Sequence, residues 1–133
     1  MPDGIFLSLP VADVAKARDF YAALGWKMQA ALSDEGSVCF ILAQGVHLML
    51  ASHARFQEIS PKPMLLPRDG VTALIALSCS TREEVDRLTE AAIGAGGRAL
   101  HEAEDLGFMY SRAFEDPDGN GFGPFWMQSD AGN

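Results

Sequence analysis

A chain of 133 residues with 48% hydrophobic and 21% charged side chains has the balance of one globular domain with a sizeable core, not of a disordered or fibrous polymer. Its formal charge of −8, from 18 acids against 10 Lys and Arg, excludes nucleic acid as a partner, because no basic patch offsets repulsion by that many carboxylates. No run approaches the ~20 apolar residues of a membrane span. The opening MPDGIFLSLP has no basic stretch ahead of its apolar one, so no signal peptide and no membrane partner are expected, and the protein is read as cytoplasmic.

Ile5–Val11 (IFLSLPV) reads as a strand. Asp13 suits a helix N-cap, and Val14, Ala17, Tyr21 and Leu24 recur at helical spacing until Gly25 stops them. A second strand is predicted over Lys27–Leu32, followed by a turn at Ser33–Ser37. Val38–Leu42 and Val46–Ala51 read as a hairpin joined through Ala43-Gln44-Gly45. Cys39 lies within that first hairpin strand. Ser52–Gly70 contains Pro61, Pro63 and Pro67 and shows no clear period. A loop that long inside a compact domain is either functional, as a lid over a site, or a linker.

The first pattern then begins again. Leu74–Cys79 (LIALSC) is strand-like, Thr81 with Glu84 forms a capping box, and Val85, Leu88 and Ala92 mark a helical apolar face. Gly94, Gly96 and Gly97 end the helix. Arg98–His101, Met109–Phe114 and Gly121–Met127 follow as strands, the last two joined by the tight turn Asp116-Pro117-Asp118-Gly119-Asn120. Cys39 and Cys79 lack zinc-site spacing and read as buried reduced thiols.

Leu9-x-Val11-x-Asp13 leads into the first helix and Leu77-x-Cys79-x-Thr81 into the second. The chain is therefore a duplicated unit of class α+β: two βαβββ modules within a single domain. Module 1 covers 1–51, the linker or lid 52–70, module 2 71–128 and a tail 129–133. In each module the helix should cover one sheet face, and the opposite faces are expected to combine into one cupped, mostly antiparallel sheet.

The residues that carry the duplication resemble the vicinal oxygen chelate superfamily of glyoxalase I, bleomycin-resistance proteins and extradiol dioxygenases. Leu9-Pro10-Val11-Ala12-Asp13, Phe20-Tyr21 and Leu24-Gly25-Trp26 are similar to its opening motif, and Asp116–Asn120 to its closing turn. Ser60-Pro61-Lys62-Pro63, Arg82-Glu83-Glu84-Val85-Asp86 and Gly107-Phe108-Met109-Tyr110 with Arg112 and Phe114 resemble signatures of a lactoylglutathione lyase-related subgroup. The resemblance implies the glyoxalase/bleomycin-resistance/dioxygenase fold, a homodimer, and in active members a divalent metal held by His, Gln or Glu from four strands.

Matching those four places by motif gives Phe6, Met49, Leu74 and Gly123. A phenyl ring, an isobutyl group and a hydrogen carry no donor, and Met49 offers only a soft thioether. No metal site and no cofactor are therefore expected. Where the subgroup tends to read Asp-Gly-His-x-Trp-Glu, this chain has Asp118-Gly119-Asn120-Gly121-Phe122-Gly123. Either the pocket has changed its task or the final strand sits in altered register.

Strand parity nominates further pocket residues. His47 shares parity with Met49 and could ligate, act as a base, or simply hydrogen-bond at the rim, since no orienting partner is evident. Tyr110 and Arg112 share a face, where they could hold an anionic ligand or instead pack under the long loop and pair with acids. Phe6, Ser8, Phe125 and Met127 complete the candidate walls, which serve equally well as core. His53 and His101-Glu102 read as solvated groups. Asp116-x-Asp118-Gly119 lacks the further acids of a calcium loop and reads as a turn.

Three functions follow. One is a metal-independent binder of a small-molecule ligand. Another is a divalent-metal-dependent lyase/isomerase related to lactoylglutathione lyase, or a dioxygenase, with a relocated site using His47 with Glu102 or another acid. The third is a dimerisation module whose cup is filled.

Overall fold

Alternation along β1 (Ile5–Val11) decides which of its sides meets a helix: Leu7, Leu9 and Val11 go one way and Phe6, Ser8 and Pro10 the other. The Asp13 carboxylate accepts the Lys16 amide at 3.1 Å and starts α1 (Val14–Ala23). Gly25 follows at φ 88°, a left-handed value that suits a residue without Cβ. The buried stripe Val14, Ala17, Phe20 and Tyr21 packs on β3 (Ser37–Ala43) and β4 (Val46–Ser52). The Tyr21 ring lies 5.9 Å from Phe40, and Val38, Phe40, Leu48 and Leu50 are fully buried. With β2 (Lys27–Met28) the sheet runs in the order β1-β4-β3-β2, β1 and β4 being parallel and the other pairs antiparallel. The structure, a computed structural model, describes residues 1–71 and 73–129; tail positions 130–133 lie outside the described residues.

Two expectations in this half need correction. The strand expected over Lys27–Leu32 stops at Met28. After Gln29, Ala30–Leu32 forms a single 3₁₀ turn, closed by Leu32 N to Gln29 O and Ser33 N to Ala30 O. The span Ser52–Gly70 is not structureless. Ser52 caps α2 (His53–Ile59), its hydroxyl accepting the Arg55 amide at 3.1 Å. Gln57 clasps the chain beyond it, donating to Lys62 O and accepting from Met64 N. Arg55 reaches the Asp34 carboxylate at 3.3 Å, and a Cβ on Gly36 would stand 2.5 Å from its Nη2. This helix has no buried residue, so it carries no apolar stripe for a periodicity to reveal.

The chain divides into two compact units between Gly70 and Val71. The second contains β5 (Ile75–Ser78), α3 (Arg82–Gly94), β6 (Arg98–Asp105), β7 (Met109–Glu115) and β8 (Gly121–Met127), ordered β5-β8-β7-β6 with β5 and β8 parallel. The Thr81 hydroxyl accepts the Glu84 amide at 3.1 Å. The Glu84 carboxylate does not close the expected box; it grips Arg87 instead. Val85, Leu88, Thr89 and Ala92 face the sheet. β6 runs four residues past its expected end, fully exposed and with two register breaks. β8 pairs in one continuous register with both β5 and β7. Asp116 Oδ1 accepts the amides of Asp118 and Asn120, and Oδ2 the Asn120 amide group, each at 2.9 Å. That carboxylate is committed to its own turn, with Gly119 at φ 100°.

Candidate functional site

On module 1, the sheet face turned away from α1 carries Phe6, Ser8, Cys39, Ile41, His47 and Met49. The register pairs Phe6 with His47, Ser8 with Met49, Cys39 with Met49 and Ile41 with His47, so four of the sequence candidates sit side by side. The Phe6 and His47 rings stack at 4.3 Å with 7° between planes. His47 Nδ1 lies 2.7 Å from Gln29 Oε1, and the Cys39 thiol donates to the same oxygen at 3.4 Å. With Gln29 Oε1 as the acceptor, this contact places a proton on Nδ1, so that in the neutral ring it is Nε2 that carries the lone pair. Burial pushes the Cys39 thiol up, keeping it a donor.

Gln29 is thus the orienting partner that the sequence did not reveal. Its position follows from Met28 pairing with Phe40, which sets Gln29 beside Cys39 and lets Gln29 N donate to Cys39 O at 2.8 Å. The only sequence signal was one polar residue at the end of a short strand, and the 3₁₀ turn after it hid the register. A groove of about 430 Å³ lies elsewhere on this module, lined by Arg18, Met28, Ala30, Ser33, Asp34 and Glu35. Its Asp34 is already spent: the Gly36 amide, then the Ser37 amide and Arg55, hold that carboxyl below the usual range.

Module 2 distributes its candidates differently. Gly123 and Phe125 face away from α3, Gly123 paired with Ala76 and Phe125 with Ser78 and Ser111. Leu74 precedes β5 and is 89% exposed. Tyr110 and Arg112 do share a face, but it is the helix-covered one, so their placement among pocket walls is corrected. The Tyr110 hydroxyl donates to Asp86 Oδ1 at 2.6 Å. Arg112 Nη1 reaches Asp86 at 3.2 Å and Glu90 at 2.8 Å. The hydrogen bond to Asp86, and then burial, push the Tyr110 hydroxyl up. Arg82 forks onto Asp105 at 2.8 and 3.0 Å, bonds Gly107 O, and lies 4.8 Å from the Trp126 ring centre and 5.2 Å from that of Tyr110. This network ties α3 to β7 and to the β6–β7 turn. His101 lies on exposed β6, its Nδ1 2.7 Å from Glu102 O; His53 opens α2.

The residues do not fit a hard divalent cation. Phe6, Met49, Leu74 and Gly123 supply no oxygen or nitrogen side-chain donor. Among the described residues, no group of three or more His, Cys, Asp or Glu side chains is placed to hold a metal ion. Nor is any helix among them long and apolar enough to cross a membrane.

Two βαβββ modules, each with a helix packed on one sheet face, define a class of paired-module α+β proteins. The model of the Glyoxalase/Bleomycin resistance protein/Dioxygenase superfamily matches residues 5–123, and the chain belongs to that superfamily. Among solved structures, hypothetical protein SA1046 from S. aureus is similar at 28% identity with a TM-score of 0.79, covering 95% of this chain and 94% of that one. A glyoxalase-related enzyme from Fulvimarina pelagi matches at 20% identity, TM-score 0.79, over 95% and 88%. A glyoxalase/bleomycin resistance protein/dioxygenase family enzyme from Burkholderia phytofirmans PsJN matches at 17%, TM-score 0.73, over 92% and 96%. The latter two identities speak to fold alone. No curated protein matches.

Proposed function

We propose that this protein is a metal-independent binder of a small organic ligand, in the manner of the bleomycin-resistance branch of its superfamily. One feature carries the reading: the places that the family resemblance matches to metal ligands hold Phe6, Met49, Leu74 and Gly123, while Phe6 and Met49 share the sheet face turned away from α1 with an oriented imidazole. An apolar surface with few directed polar groups is what small-molecule recognition needs. Elemental analysis of the purified protein should find no stoichiometric metal, and nickel, zinc or manganese should leave its thermal midpoint unchanged. Tight, saturable metal binding that survives replacement of His53 and His101 would overturn this. In a thermal-shift screen of small organic molecules, some compounds should raise the midpoint, because anything that binds only the folded state stabilises it.

A lactoylglutathione lyase-like reading is favoured by one observation, the Gln29-oriented His47. It requires turnover of the methylglyoxal–glutathione hemithioacetal with at least one of those metals, and the expected result is none. The protein is further proposed to be a cytoplasmic homodimer; sedimentation equilibrium tests the dimer.

A further inference from the structure

The imidazole of His47 is held three ways. Phe6 covers one ring face at 4.3 Å, nearly parallel. Gln29 Oε1 holds Nδ1 at 2.7 Å. The Cys39 thiol, fully buried, occupies the second lone pair of that oxygen at 3.4 Å and so fixes the amide's orientation as well. Nε2 has no hydrogen-bond partner among the described residues. No buried side-chain nitrogen or oxygen among them lacks a partner, so Nε2 is reachable from solvent. Phe6 has one ring face against His47 and is still 56% exposed, which leaves its other face and edges open.

We propose that Phe6 and the Gln29-oriented His47 form a recognition site for a planar aromatic molecule carrying an O–H or N–H donor. The ligand ring packs against the exposed edge of Phe6, and its donor hydrogen-bonds to Nε2 in the plane of the imidazole. The assignment rests on the small-molecule-binding reading and deepens it. Edge-to-face packing on an exposed ring selects aromatic ligands. A lone pair held by a locked tautomer selects donors over acceptors. Gln29 is a positioning residue: it touches no ligand and acts by keeping the ring proton on Nδ1.

β-Naphthol and its methyl ether test this, because they share one ring system and differ in the single donor. Fluorescence titration of the intact protein should show β-naphthol binding about tenfold more tightly, the factor one net hydrogen bond contributes. In His47→Phe, which keeps the stack and removes the acceptor, the two probes should bind alike. In Phe6→Ala, both should weaken severalfold by the same factor. Gln29→Leu should shrink the preference while proton–nitrogen correlation spectra show the His47 ring shifting from one tautomer to a mixture. That spectroscopic change is one a merely structural glutamine would not produce. Equal binding of both probes to the unmodified protein, or a preference that survives His47→Phe, overturns the donor assignment and leaves ligand binding as such intact. Failure of both probes to bind overturns the aromatic site. The broader binding reading falls only if the thermal-shift screen is also silent.

Discussion

The two modules share one chain path and differ in where they place their polar groups. Module 1 fills the space under its helix with rings and aliphatics, Phe20, Tyr21, Phe40, Leu48 and Leu50, and keeps its polar group, the His47–Gln29 pair, on the face turned away from α1. Module 2 also buries rings and aliphatics under its helix, Phe114, Phe122, Val85 and Leu88, but sets a charged network beside them, with Arg112 between the partly exposed Asp86 and Glu90. The face of β5, β7 and β8 turned away from α3 carries mainly small residues, such as Ala76, Ser111 and Gly123. A β-α-β-β-β frame therefore fixes where a site can be, not what it does, and function has to be read from side chains.

The difference predicts unequal sensitivity to substitution. Phe40→Ala should be the largest effect, about 3–5 kcal/mol of unfolding free energy by denaturant titration, since a fully buried ring leaves a cavity. A loss below about 1 kcal/mol would mean that module 1 is not organised around that cluster. Arg112→Met comes next. Its side chain is 17% exposed between two acids that are 49% and 63% exposed, so solvent compensates part of the loss. About 1–2 kcal/mol is expected. A neutral result would show the network to be surface decoration, and the contrast between the modules would shrink to their cores.

What the sequence disclosed follows the same division. β1, α1, α3 and β8 were legible because each has a regular apolar period and punctuation by Asp13, Gly25, Thr81 or Asp116–Asn120. α2 was not, because a helix with nothing buried has no period to read. Of the candidates on the face away from α1, Phe6 and Met49 came from the family motif and Ser8 and His47 from strand parity with them, which a regular strand preserves. Gln29 and the helix-side location of Tyr110 and Arg112 needed contacts between elements. Parity states that two residues share a face without stating which face the helix takes.

The helix caps provide the point at which the modules should behave alike. Asp13→Ala and Thr81→Ala each remove one side-chain acceptor from an N-terminal amide, at 3.1 Å in both cases. Each should cost about 1 kcal/mol. A twofold disparity would place extra weight on one helix, and the Thr81 variant is the more informative because Arg82 beside it anchors the module 2 network.

The smallest expected effect is the dependence of stability on pH, and it has a different sign at each end. Asp34 in module 1 is held below the usual carboxylate range chiefly by the Gly36 amide, and Asp105 in module 2 chiefly by its hydrogen bond from Arg82. A lowered folded value gives stabilisation that is present above the ordinary carboxylate range of about pH 4 and is lost as pH falls through the folded value. Both modules should therefore weaken in acid. Tyr110 runs the other way. Its hydroxyl is pushed up by donating to Asp86, so its contribution is complete below the ordinary tyrosine value of about 10 and fades as pH rises toward the folded one. The alkaline decline should therefore map to the Tyr110–Asp86 pair of module 2. Chemical unfolding across pH should show Tyr110→Phe reducing the alkaline decline without altering the acid limb, and Asp105→Asn doing the reverse. An alkaline limb that is identical with and without the Tyr110 hydroxyl would mean the Tyr110–Asp86 bond contributes nothing to holding α3 on β7.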